Sequence, residues 1–156
     1  MLPNTFIHIK NVKLYGVNIG GYFEGNIGKA ELVMDNCQVE QICCGDCEKP
    51  INGKNPEKLI INEVDIRLNN VVCNGNAYIG SGGFGVINKG RMEINEGCMI
   101  NFAIAGGSNG YTRFGEIIIN GGTVNVLQSA NRGIVDKSHL VINDGMVDRF
   151  YAGGSP

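Results

Sequence analysis

Marking the apolar positions along the chain exposes one phrase written six times. An apolar residue, a mixed residue and a second apolar residue recur as Ile7/Ile9, Leu32/Met34, Ile66/Leu68, Met92/Ile94, Ile117/Ile119 and Leu140/Ile142. Alternation with a period of two places successive side chains on opposite faces, which predicts strands and not helices. The copies are spaced 25, 34, 26, 25 and 23 residues apart, a period that marks a repeat architecture. Three more columns accompany the pair. One reads Leu14, Val39, Cys73, Met99, Val124, Val147. Another reads Val17, Ile42, Ala77 after a one-residue shift, Phe102, Leu127, Phe150. The last, five residues before each anchor, reads Leu2, Ile27, Ile61, Ile87, Thr112, Val135, in which only Thr112 departs from apolar character. Each repeat therefore predicts two or three short strands, with turns at Asn-x-Gly and near Gly-Gly.

One winding of this kind cannot bury its own apolar face, but stacked windings can, because equivalent residues then lie over one another. The expected fold is all-β: a single-stranded parallel β-helix, or β-solenoid, of about six turns. Right-handed winding is expected from the crossover rule for parallel strands. The chain reads as one domain over 1–156, with its first turn at about 2–25. An antiparallel sandwich would need hairpin turns between strands and gives no reason for one residue type to return at a fixed place in each period.

A polar column supports stacking. Asp35, Asn69, Asn95, Asn120 and Asn143 each come directly after the second apolar position, with Lys10 in their place in the first copy. Asparagine tolerates left-handed backbone angles and suits a sharp corner, and stacked amides can bond to one another up the stack. Independent turn asparagines are the other reading of the same column. The pattern resembles right-handed parallel β-helix proteins with an inward asparagine ladder. Ile119-Asn120-Gly121-Gly122-Thr123-Val124 and Val147-Asp148-Arg149-Phe150-Tyr151-Ala152-Gly153-Gly154 are similar to repeats of adhesin-like bacterial surface proteins and phage fibres. That resemblance implies a fold and a non-enzymatic binding or adhesion role.

Composition adds limits. Hydrophobic residues make up 43% and charged residues 18% of the 156, which fits a globular chain. Gly is 24 and Pro only 4, a balance suited to tight turns in a regular fold. The formal charge is −2 with cations scattered, so the clustered footprint of a nucleic-acid binder is missing. No apolar run approaches the length of a membrane span, and no basic start with a long apolar run opens the chain. The expected origin is thus cytoplasmic or phage-derived, unless the chain was trimmed from a secreted protein. The long second interval holds two prolines and three lysines at about 48–58, which predicts a loop leaving the stack.

Candidate chemistry is sparse. Cys44 and Cys47 have metal or redox spacing. No second Cys-x-x-Cys completes a zinc site, so packing, a disulfide and a metal all stay open for these thiols. No cofactor is implied. His8 and His139 lie far apart without a paired nucleophile. A glycosidase needs two carboxyls facing across one bond. Here Asp144 and Asp148, with Arg149 beside them, are the nearest approach, so catalysis is the lesser alternative and no catalytic residue is assigned. Tyr15, Tyr78, Tyr111 and Tyr151 fall near glycine corners, where a ring could lie against a sugar, and are the expected binding residues; packing beneath loops is the competing role. The functional expectation is a module recognising a glycan or another protein. The alternatives are a structural solenoid that assembles end to end or as a homo-oligomer, and a polysaccharide-acting enzyme.

Overall fold

Parallel stacking demands that the same column meet itself turn after turn, and it does. The computed structural model describes residues 1–20, 25–45, 59–81, 83 and 85–153. The strands are β1 (Asn4–Lys10), β2 (Lys13–Ile19), β3 (Gly25–Cys44), β4 (Leu59–Ser81), β5 (Val86–Ile94), β6 (Met99–Ile104), β7 (Tyr111–Gln128) and β8 (Ile134–Tyr151). All pair in parallel in one eight-stranded sheet that coils into a solenoid of about five turns. Six copies of the phrase make six rungs, and the chain winds about five times in passing from the first rung to the last. The anchor column runs in register from Ile7 through Leu32, Ile66, Met92 and Ile117 to Leu140. The expected loop at about 48–58 lies outside the described residues.

The main core runs up the axis. Leu32, Met34, Ile66, Leu68, Met92, Ile94, Ile117 and Ile119 are fully buried. Each buried aliphatic side chain contributes on the order of 1.5–3 kcal/mol relative to exposure. A column that the alternation pattern hides also faces inward: Ala30, Val64, Gly90 and Gly115, paired in register. It is made of small residues because the opposite wall comes close. A Cβ on Gly90 would collide with Ile79 Cγ2, and one on Gly115 with the Ala105 carbonyl oxygen.

The corner after the anchor strand is set by a left-handed residue in every turn. Asn11, Asn36 and Asn70 have φ of 55°, 52° and 50°. Gly97, Gly122 and Gly145 take over with φ of 78°, 79° and 101°. Asparagine and glycine are the residues that reach this region at low cost. In the fourth turn this corner is one residue longer, and the inward positions beyond it move by one. Ile100 and Ala103 are buried there and pair with Cys73 and Ala77. Met99, expected inside, is 60% exposed, and Phe102, also expected inside, is half-buried against a separate cluster. The one-residue shift anticipated at Ala77 is present, since Ala77 pairs with Ile42 across a bulge.

The amide ladder is continuous. Asn69 Nδ2 donates to Asp35 Oδ1 (2.7 Å), Asn95 to Asn69 (2.7 Å), Asn120 to Asn95 (3.0 Å) and Asn143 to Asn120 (2.9 Å). It is half-buried at Asp35, Asn69 and Asn95 and exposed at Asn120 and Asn143, so it tracks the corner and does not run inside the core. A second short ladder joins the left-handed corners, Asn70 to Asn36 (2.8 Å) and Asn36 to Asn11 (3.1 Å).

Candidate functional site

Outward columns carry the chemistry, because every inward position is taken up by packing. On the anchor face the in-line register puts the carboxylates Glu31 and Asp65 side by side, and from Asp65 onward the column alternates acidic and basic residues. One column reads Glu31, Asp65, Arg91, Glu116, His139. Arg91 lies 3.7 Å from Asp65 and 3.3 Å from Glu116, and also bonds Glu93. Arg67 bridges Asp65 (3.1 Å) and Glu93 (3.8 Å). His139 Nδ1 lies 2.8 Å from Glu116 Oε1. Asp65, Glu93 and Glu116 thus each have a cation as neighbour, which fits a load-sharing surface network. In the first turns His8 Nε2 sits 2.6 Å from Asp35 Oδ2. That hydrogen bond, and after it the one from Asn69, holds the Asp35 carboxyl below the ordinary carboxylate range.

The four tyrosines do not converge. Tyr15 is 87% exposed on β2, between Leu14 and Gly16, which pair with Val39 and Gln41. Tyr78 is buried with Cys43 and Ile104, and its hydroxyl accepts a bond from Asn131 Nδ2 (3.3 Å), so it offers no ring face to a ligand. Tyr111 donates to Asp136 Oδ2 (2.6 Å), and that bond raises its phenol pKa. Tyr151 shares the Tyr78 column but sits on the last turn.

Burial governs the cysteines. Cys37, Cys44, Cys73 and Cys98 are buried free thiols, and Cys43 is disulfide-bonded. Desolvation pushes the Cys44 thiol far up and Cys73 to about 12. A metal-binding or nucleophilic cysteine needs the opposite shift. Cys47, the expected companion of Cys44, lies outside the described residues. Among the described residues no group of three or more His, Cys, Asp or Glu is placed to hold a metal ion. Asp144 Oδ1 accepts from the Gly145 amide (2.7 Å), and Asp148 lies 3.5 Å from Arg149 on an open surface.

A shallow depression of about 170 Å³ crosses the next face, over β4, β6 and β7. Val72, Asn74, Met99, Asn101, Thr123 and Asn125 line it, with inward Cys73 and Ile100 below. Its amides form a third ladder: Asn125 Nδ2 donates to Asn101 Oδ1 (3.2 Å), Asn101 to the Asn74 carbonyl (2.9 Å) and Asn74 to Glu40 Oε1 (2.8 Å). The lining carries no charged side chain. Its signal was present in the sequence, since Asn74 and Asn125 each fall five residues after a ladder asparagine. Asn101 falls six after, and the longer fourth corner hid the column.

No protein-family model, curated protein or solved structure matches the chain. No helix of the described residues is long and apolar enough to cross a membrane.

Proposed function

We propose that the protein is a non-enzymatic binding module and that its recognition surface is the uncharged depression over β4, β6 and β7, taking a neutral glycan chain. The supporting observation is the lining itself: three amides and a hydroxyl held on consecutive rungs, next to an exposed thioether. Sugars without charge are held by fixed hydrogen-bonding groups set among apolar contacts. Asn101 is immobilised from both sides by its ladder partners, so little rotamer freedom remains to be lost on binding. The exposed Met99 supplies an adaptable apolar contact for the ring faces. The tyrosines do not enter this reading, because none of them lines the depression and Tyr78 is covered.

A panel of neutral and anionic oligosaccharides, titrated calorimetrically, tests the reading. Neutral glycans should bind, and Asn101→Ala and Met99→Glu should each weaken the best of them at least tenfold, while Tyr111→Phe leaves it unchanged. Silence of the whole neutral panel at millimolar concentration, or affinity indifferent to both substitutions, would reject the depression as the site.

A further inference from the structure

The two ends of the solenoid expose the same columns that are buried between them. At the last turn Ile142 is 50% and Phe150 53% exposed, and Leu140 and Val147 are only partly covered. At the first turn Leu2 is 42% and Val12 41% exposed, and Ile7, Ile9 and Leu14 are only partly covered. Among the described strands, β8 pairs only with β7, and β1 and β2 only with β3. Each end therefore carries a parallel strand edge as well as an apolar face, a ready template for another strand.

The two end turns also match. Leu140 lies 133 residues after Ile7, and the same offset relates Val135 to Leu2, Ile142 to Ile9, Val147 to Leu14 and Phe150 to Val17. Neighbouring turns inside the molecule do not all manage this. The offset changes along the pairings of β3 with β4 and of β4 with β6. By spacing, the last turn agrees with a first turn on both sides of the corner, while within the corner the left-handed residue falls one place later, Gly145 against Asn11.

Charge agrees with the same register. Residues 1–25 carry Lys10 and Lys13 against one carboxylate, Glu24, whereas 134–153 carry Asp136, Asp144 and Asp148 against Lys137 and Arg149. With Leu140 over Ile7, the ladder amide Asn143 falls over Lys10 and Asp144 over Asn11. Lys10 is the one member of the ladder column that is a cation. It is 57% exposed and reaches Asp35 only at 3.9 Å, which leaves it able to serve an aspartate arriving from the other side.

We infer that the partner for these faces is a second copy of this chain, docked head to tail with its first turn on the last turn of its neighbour. Such a contact joins two different surfaces, so it does not close on itself after two copies and adds subunits in a line. The amide ladder and the apolar columns then continue across the junction.

Sedimentation velocity over a wide concentration range, with circular dichroism to establish the fold of each variant, tests this. The native chain should form species larger than a dimer as concentration rises. Lys10→Glu and Asp144→Lys should each weaken association at least tenfold, and the two together in one chain should restore much of it. Ile142→Lys should prevent growth through one end while its intact first turn still caps a native subunit. A native chain that stays monomeric at the highest concentration overturns the inference. So does association that ignores all three substitutions, which would place the contact on the sides of the solenoid.

Discussion

Ile119 and Ile142 hold the same column one turn apart, paired in register, and the phrases around them are nearly the same. Ile119 is inaccessible, whereas Ile142 is half exposed. In a solenoid each rung is covered by its neighbours and not by its own turn, so identical sequence has different energetic weight in the middle and at the end.

The largest test of that contrast is truncation at both places. Ile119→Ala should cost about 2–5 kcal/mol, the range for a buried aliphatic that leaves a cavity. Ile142→Ala should cost less than about 1 kcal/mol, as for an accessible position. Urea-unfolding midpoints at low protein concentration measure both. Equal losses would mean that the last turn is covered in solution.

Next comes alkaline pH, which acts on the buried thiols of the interior turns. Burial raises the Cys44 and Cys73 thiols above the ordinary value of 9.0. A raised folded pKa means that the unfolded chain loses the proton first. Stability is therefore whole below about pH 9 and falls as pH climbs toward 12, by at most about 1.4 kcal/mol per pH unit for each thiol. Urea melts from pH 8 to 11 under reducing conditions should show this slope, and Cys73→Ala should flatten it. An unchanged slope in that variant would remove Cys73 from the account.

The ladder offers a smaller version of the contrast. Asn95 both donates and accepts within the stack, whereas Asn143 stands at the ladder's end and donates to Asn120. Asn95→Ala should cost about 1–3 kcal/mol, because a half-buried partner is left unmatched. Asn143→Ala, at an exposed site, should cost less than about 1 kcal/mol. Thermal unfolding separates them.

The smallest effect belongs to the opposite end. The depressed Asp35 carboxyl contributes stability that is present above about pH 4 and is lost as pH falls through its lowered folded value. Asp35→Asn restores the amide found elsewhere in the column and should flatten the acid limb of the stability profile, with little change at neutral pH. An acid limb as steep as that of the native chain would show that other carboxylates dominate it.

The repeat made most of the fold legible. The anchor pair, the ladder column and the Ala77 shift could all be placed by counting, because parallel stacking forces equal residues into file. Counting failed where a corner changed length. The extra residue at Glu96-Gly97 reverses the face of the residues beyond it, which put Met99 outside and Ile100 inside and concealed Asn101 from the column to which it belongs. The Ala30, Val64, Gly90 and Gly115 column escaped for a related reason, since the spacing from Ile27 to Ala30 to Leu32 breaks strict alternation. Tyr78 looked like a surface ring and is the centre of a small second core with Cys43 and Ile104.

Local chemistry, then, decided what repeats: alternation fixes strands, and asparagine or glycine fixes the left-handed corner, both through the sterics of single residues. Which side chains are covered, which lie open in the depression and which sit exposed on the outermost described rungs depended on the assembled stack. Those properties belong to pairs of turns 23 to 34 residues apart, and a change of one residue in a corner between them exchanges inside for outside.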